Sequence, residues 1–264
     1  MADQGTAATP PILTIENQRA TIRLNRPAVH NRIEPEDLAA LAQHLAAIDA
    51  NPGLRVAILT GTGKSFCSGY HLGDLSARPD AEVTGDADSL SFEAVATQLE
   101  NLRVPTICRL NGGVYGGATD LALCCDFRIG VDTGEMFMPA ARLGLHYYPS
   151  GMLRYVSRLG LNAAKRLFLT AARLQAPEML AIGYLTEMVK ADRLDAAVEA
   201  LAAQLEEMAP LAVQGVKRSL NEIARQQFDA AGAVERARAS QASEDLKEGL
   251  AAFREKRPPR FVGR

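Results

Sequence analysis

The chain contains no tryptophan, only four cysteines, and few aromatic residues (5% of 264). No CxxC spacing occurs among Cys67, Cys108, Cys124 and Cys125, which argues against a zinc site. All four thiols lie in apolar segments, where cysteine is ordinarily a small core residue. Adjacent Cys124 and Cys125 on a helix point to different faces and do not pair with each other. Charge of one sign is missing too, because 29 basic and 31 acidic residues leave a formal net charge of −2. Without a basic excess, nucleic acid is not an expected partner. No apolar run approaches the ~20 residues of a membrane span. The opening MADQGTAATPP has neither a basic start nor an apolar run, so it does not read as a signal peptide. Together these absences describe a reduced, soluble, cytoplasmic protein.

What is present is ordinary globular material: 47% hydrophobic and 23% charged residues. A chain of this length buries roughly three-quarters of its unfolded surface, enough to fold without metal or disulfide. Residues 1–11 read as a loose arm. Strands are expected at 12–15 and 20–24, forming a hairpin around a polar turn at 16–19. Leu38, Leu41, Leu45 and Ile48 predict a helix over 34–50, with prolines at its borders. A buried-type strand follows at 55–60, a polar surface loop at 73–90, a helix at 91–102 and a strand at 104–110. After a strand at 127–131, the chain from Met152 reads as nearly all helical: 152–158, 162–171, 177–183, 193–208, 211–225 and 229–254.

Two glycine-rich stretches stand out against this background. Gly63-Lys64-Ser65 after a strand suggests a nucleotide phosphate loop, but Ile58 occupies the place of that motif's first glycine. The chemistry points elsewhere. In RLNGGVYGGATDLALCCDFRIG (109–130), a strand passes through two glycine pairs into an apolar helix starting near Gly117. The first N–H groups of such a helix lack intrahelical acceptors and carry the positive end of its dipole. They suit an oxygen that becomes anionic in a reaction. Asp120 sits one turn inside, where a carboxylate can move a proton. In GTGKSFCSGYHLGDL (61–75), Ser68-Gly69 allows a tight turn that presents the Tyr70 N–H. One donor from each stretch could converge on a single oxygen. Asp126 reads as a structural residue, and His30 and His44 as surface residues.

Several short motifs recur in a fixed order: Leu24-Asn25-Arg26-Pro27 with Asn31, then 61–72, Asn111-Gly112, Gly116-Gly117 and Cys125-Asp126. Leu143-Gly144-Leu145 follows, and Phe253-Arg254-Glu255-Lys256-Arg257-Pro258 closes the series. On these the chain resembles the crotonase family, the enoyl-CoA hydratase/isomerase superfamily. The resemblance implies an α/β fold, a spiral of ββα turns over 12–190, with a helical oligomerisation region over 191–264. It also implies a homotrimer or a dimer of trimers. The substrate would be an acyl-CoA thioester, with coenzyme A part of the substrate and no separate cofactor or metal. Its carbonyl oxygen would be held by Tyr70 and Gly117 N–H groups, and an enolate would form there. Arg26, Ser68, His71, Leu72 and Gly116 would line the CoA and thioester path. Phe253 and Lys256 would reach it from the C-terminal region, Lys256 toward the CoA phosphates of a neighbouring subunit.

Hydratases of the family carry a glutamate at the place of Asp120, and its dienoyl-CoA isomerases carry aspartate. Hydratases have a second glutamate where this chain has Ala140. In place of that carboxylate the chain offers His146, Tyr147 and Tyr148 in LGLHYYPSG (143–151). This segment and the tail are similar to methylmalonyl-CoA decarboxylase, which has a tyrosine at the position of Tyr147. The expected catalytic set is therefore Tyr70, Gly117, Asp120, His146 and Tyr147, with Ala140 and Tyr148 lining the acyl site. A decarboxylase and a non-catalytic acyl-CoA-binding protein stand as alternatives.

Overall fold

A computed structural model describes residues 8–71, 73 and 91–264. The expected loop at 73–90 lies, apart from Gly73, outside the described residues, as does Leu72. The strands are β1 Ile12–Glu16, β2 Arg19–Leu24, β3 Val56–Gly61, β4 Thr106–Leu110 and β5 Val114–Tyr115. They continue with β6 Phe127–Val131, β7 Glu135–Phe137, β8 Arg173–Gln175 and β9 Glu187–Val189. The helices begin with α1 Pro35–Ala50, α2 Phe92–Glu100, α3 Gly117–Cys124, α4 Pro149–Leu159 and α5 Leu161–Thr170. After them come α6 Ala176–Ala181, α7 Leu194–Glu206, α8 Pro210–Ala224, α9 Ala230–Ala242 and α10 Glu244–Glu255.

A large sheet runs β1-β2-β3-β4-β6-β9, parallel throughout except for the opening β1–β2 hairpin. A small sheet joins β5, β7 and β8. Isolated bridges Ile33–Tyr70 and Cys67–Val114 extend the small ladder. The segments following β2, β3, β4 and β6 thus each place one short stretch beside the last. The result is a mixed α/β spiral in which each turn feeds both sheets, with helices returning the chain.

The all-apolar β3 shows why the large sheet reads as continuous hydrophobic runs. Ala57 and Leu59 enter the core shared with α1 and α2, while Val56 and Ile58 enter a second core under α7. A parallel strand covered on both faces has no polar side to alternate with. Leu194, Val198 and Ala202 of α7 pack on Ile107, Ile129 and Val131, so the layered core extends past residue 190.

Lys217 fastens α8 to this body. Its Nζ donates to Val104 O at 2.8 Å and pairs with Asp126 Oδ2 at 2.7 Å. Asp126 also accepts from the Thr106 N–H and hydroxyl, which makes it a joint of the fold.

Two sequence expectations are corrected. The stretch after Met152 is interrupted by β8 and β9, three-residue strands too short to show a period. The helix expected over 229–254 is two helices, because Ser243 is extended (ψ 155°) and its Oγ caps α10 by accepting from Leu246 N at 3.0 Å.

Candidate active site

Asparagine side chains tie down the loop that follows β3. Asn31, in the left-handed region at φ 55°, donates to Thr62 O, Ser65 O and Phe66 O, and its Oδ1 accepts from Arg26 N. Asn111 donates to Gly63 O at 2.8 Å and Ser65 O at 3.2 Å. The next turn is pinned along its backbone. Ser68 N–H donates to His30 O, Ile33 N–H to Gly69 O, and His71 N–H to Ile33 O. Tyr70 is therefore held from both sides.

The second glycine stretch meets this turn directly. Gly69, at φ +101°, has no room for a side chain: a Cβ there would lie 2.9 Å from Tyr115 O and 3.4 Å from Gly117 N. Gly116 adopts φ 54° and ψ −134°, a conformation open to glycine, and Gly117 then begins α3. Among the described residues no acceptor takes the Gly117 N–H. It is one of the donors that every helix leaves over at its first turn. The segments carrying Tyr70 and Gly117 thus abut at the head of a buried helix. The Thr119 hydroxyl donates to Gly116 O and so accepts from Tyr155 OH at 2.5 Å, while Tyr184 OH donates to Thr119 O. These fully buried tyrosines hold the first turn of α3 from behind.

Asp120 is 0% exposed, and both its oxygens accept hydrogen bonds. Arg154 of α4 donates to both its oxygens, Nε to Oδ1 at 3.0 Å and Nη2 to Oδ2 at 2.8 Å. Tyr148 OH donates to Oδ2 at 2.5 Å, and Tyr147 OH donates to Tyr148 OH at 3.1 Å. Burial first, and then the Asp120 charge, push both tyrosine hydroxyls well above their ordinary range, so they stay protonated. Arg154 continues to Glu100, which also pairs with Arg158 and Arg225. Burial disfavours the ionised Glu100, but Arg154, Arg158 and Arg225 outweigh it and leave its carboxyl below the usual 4.5.

The other expected site residues are distributed unevenly. Arg26 is committed to Asp37 and Glu36, so its guanidinium is an intramolecular anchor in this structure. His71 faces Glu34, with Nδ1 3.1 Å from Oε2. Ser68 Oγ donates to Val29 O. Ala140 is packed in the core. His146 is exposed and has no hydrogen bond or ion pair among the described residues, so nothing orients it as an acid or base. Phe253 is 85% exposed, and Lys256 is exposed at the end of α10. His30 is exposed as expected but contacts Ser65 Oγ, and half-buried His44 contacts Pro11 O. The sequence reading missed Phe92, Glu100 and Arg154. An arginine on the buried Gly151–Arg154–Tyr155 face of α4 was the available signal. Among the described residues no group of three or more His, Cys, Asp or Glu could hold a metal, and no helix is long and apolar enough to cross a membrane.

The fold is a two-sheet spiral in which two glycine turns abut at the head of a buried helix. The enoyl-CoA hydratase/isomerase family model matches residues 14–264, so the chain belongs to that family and is one of its enzymes. It is 30% identical to crotonyl-CoA hydratase of Syntrophomonas wolfei, covering 96% of this chain and 98% of the relative. Carnitinyl-CoA dehydratase of Proteus mirabilis is 33% identical with the same coverage. A crystal structure of an enoyl-CoA hydratase/carnithine racemase from Magnetospirillum magneticum superposes with a TM-score of 0.90 at 27% identity, covering 97% of this chain and 96% of that one.

The arginine network gives a stability prediction. Glu100→Ala leaves three guanidinium groups around an empty buried site and should cost about 3–5 kcal/mol in urea unfolding at pH 7. Because the folded carboxyl titrates below its ordinary 4.5, its stabilisation is complete above that pH and is lost as pH falls through the folded value. The acid limb of wild-type stability should therefore be steeper than that of Glu100→Gln. Equal limbs would contradict the ionised Glu100 described above.

Proposed function

We propose that the enzyme binds an acyl-CoA thioester with its carbonyl oxygen between the Tyr70 and Gly117 N–H groups and stabilises an enolate there. The observation that carries this reading is the close approach of the Gly69 turn to Gly117, where a Cβ on Gly69 would lie 3.4 Å from Gly117 N. Two preorganised donors, one of them at a helix dipole's positive end, favour the charge that develops on that oxygen, worth several kcal/mol of barrier. Coenzyme A arrives as part of the substrate, and no other cofactor is needed. The reaction is of the hydratase/isomerase type, as the names of the relatives suggest. Asp120, in the first turn of α3, accepts from Tyr148 and brings that hydroxyl to the turn. Four buried free thiols agree with a cytoplasmic setting.

One observation favours a second reading. Asp120 accepts three hydrogen bonds from Arg154 and Tyr148, and Ala140 supplies no second carboxylate. A site without an available base suits a decarboxylation, in which the departing carboxylate supplies the electron pair and the same donors take the enolate charge. Incubation with crotonyl-CoA and with methylmalonyl-CoA, followed by mass analysis, separates the two. Gain of water on the first supports the main reading, and loss of carbon dioxide from the second supports the alternative.

For either reaction, Gly117→Pro deletes one donor at a helix position that tolerates proline, and turnover should fall at least ~100-fold. Gly117→Ala keeps the N–H and only crowds Phe92, whose ring lies 3.1 Å from the new Cβ. It should lose far less. Equal losses in the two variants, with the fold intact by circular dichroism, would sink the oxyanion assignment.

The proposed assembly is a homotrimer or a dimer of trimers. Val216, Leu220 and Ile223 form an exposed apolar stripe on α8, as do Leu246, Leu250 and Phe253 on α10. Each stripe has the i, i+4, i+7 spacing of one helix face. Sedimentation equilibrium should report three or six copies, and a stable monomer at micromolar concentration would contradict this.

A further inference from the structure

Beside the two proposed donors stands a wall of aromatic rings that cannot easily move. Phe92, 4% exposed, covers Gly117, with ring atoms 3.1 Å from where a Cβ would stand. Tyr148 is next to it, with ring centroids 6.2 Å apart and planes tilted by 52°. Its other neighbour is Tyr147, stacked at 4.2 Å and 28° and itself only 7% exposed. The Tyr148 hydroxyl is anchored to Asp120, which Arg154 grips with two bonds. One ring thus reaches from the residue that covers Gly117 to the carboxylate three positions further along α3.

Tyr148 has few ways out. Turning its χ1 would break a hydrogen bond to a buried carboxylate, unstack Tyr147 and strip the hydroxyl of its donor from Tyr147. Pro149 at the first position of α4 fixes the backbone that follows. The ring is therefore a fixed boundary, unlike the end of a flexible side chain.

Resting on the reading that a thioester oxygen lies at Gly117, we infer that Tyr148 closes the acyl end of the site and restricts the enzyme to short acyl groups. From Gly117 the Phe92 ring leads to the Tyr148 ring 6.2 Å away, and Tyr148 is bonded to Asp120, so an acyl chain that follows the first turn of α3 runs into that ring. A short group fits in front of it and gains aromatic contact, whereas a longer one must displace a ring held at three points. Discrimination by shape in an apolar pocket is worth roughly 10–200-fold for a single misfitted methylene. Several misfitted methylenes place the difference comfortably inside a measurable range.

The test uses binding, so it does not depend on which reaction follows. Butyryl-CoA and octanoyl-CoA, both saturated, are titrated into the full-length protein by calorimetry. Wild type should bind butyryl-CoA at least ~10-fold more tightly than octanoyl-CoA. Tyr148→Ala should abolish or reverse that ratio. Tyr148→Phe, which keeps the ring and its stacking but loses both hydroxyl bonds, should give a ratio between those of wild type and Tyr148→Ala. A merely structural role would weaken both ligands alike and leave the ratio unchanged. An unchanged ratio in Tyr148→Ala, or a wild type that prefers octanoyl-CoA, overturns the inference. If Tyr148→Ala does not fold, the wild-type and Tyr148→Phe ratios still decide it, since a wild type without the short-chain preference refutes it. Failure of both thioesters to bind would refute the acyl-CoA reading itself, a result distinct from binding without discrimination.

Discussion

A buried guanidinium organises this protein. Arg154, 3% exposed, stands between Asp120 at the head of α3 and Glu100 at the end of α2. Taking these charges out of water is expensive, and only close pairing with fully used hydrogen bonds offsets it. The geometry meets that demand: both Asp120 oxygens are engaged, and Arg158 and Arg225 complete the surroundings of Glu100. Arg158 also caps the carbonyls at the end of α3 through Leu123 O and Cys125 O. The helix whose N-terminus carries Gly117 is thereby fixed at both ends. A site that works by fixed backbone dipoles needs this kind of support, because donors that must reorganise lose most of their advantage.

The same network changes what Asp120 does. A carboxylate one turn inside a glycine-opened helix suggests a base when read alone. Paired to Arg154 and accepting from Tyr148, it is also the anchor of an aromatic wall. On the proposed reading, chemistry leans on charge stabilisation at the thioester oxygen more than on a strong base nearby. The tyrosines, kept protonated by burial and by Asp120, offer hydroxyl donors and ring faces.

Much of the architecture is legible in the sequence because its signals are local. VAILTG can only be a strand covered on both faces, and the paired glycines before ATDLAL mark a turn entering a helix. The abutment of the two glycine turns was foreseen only as a possibility, since it depends on bridges between residues far apart in the chain, Cys67 with Val114 and Ile33 with Tyr70. The arginine network was illegible for the same reason: Arg154 reaches partners 34 and 54 residues away. The Arg26–Asp37 pair is equally hard to read from the sequence, although its partners are only 11 residues apart. The Ser-Glu-Asp sequence at 243–245 did carry a helix-start signal that the alanine-rich run on either side obscured.

The central claim is that two main-chain N–H groups polarise a thioester carbonyl. The carbonyl stretch of isotope-labelled butyryl-CoA bound to the enzyme, read by infrared difference spectroscopy, addresses it directly. Hydrogen bonding from two preorganised donors lengthens the C=O bond and should move the band to lower frequency than in free butyryl-CoA. The shift should shrink when Gly117 is replaced by proline. A bound carbonyl with the frequency of the free thioester would contradict the account.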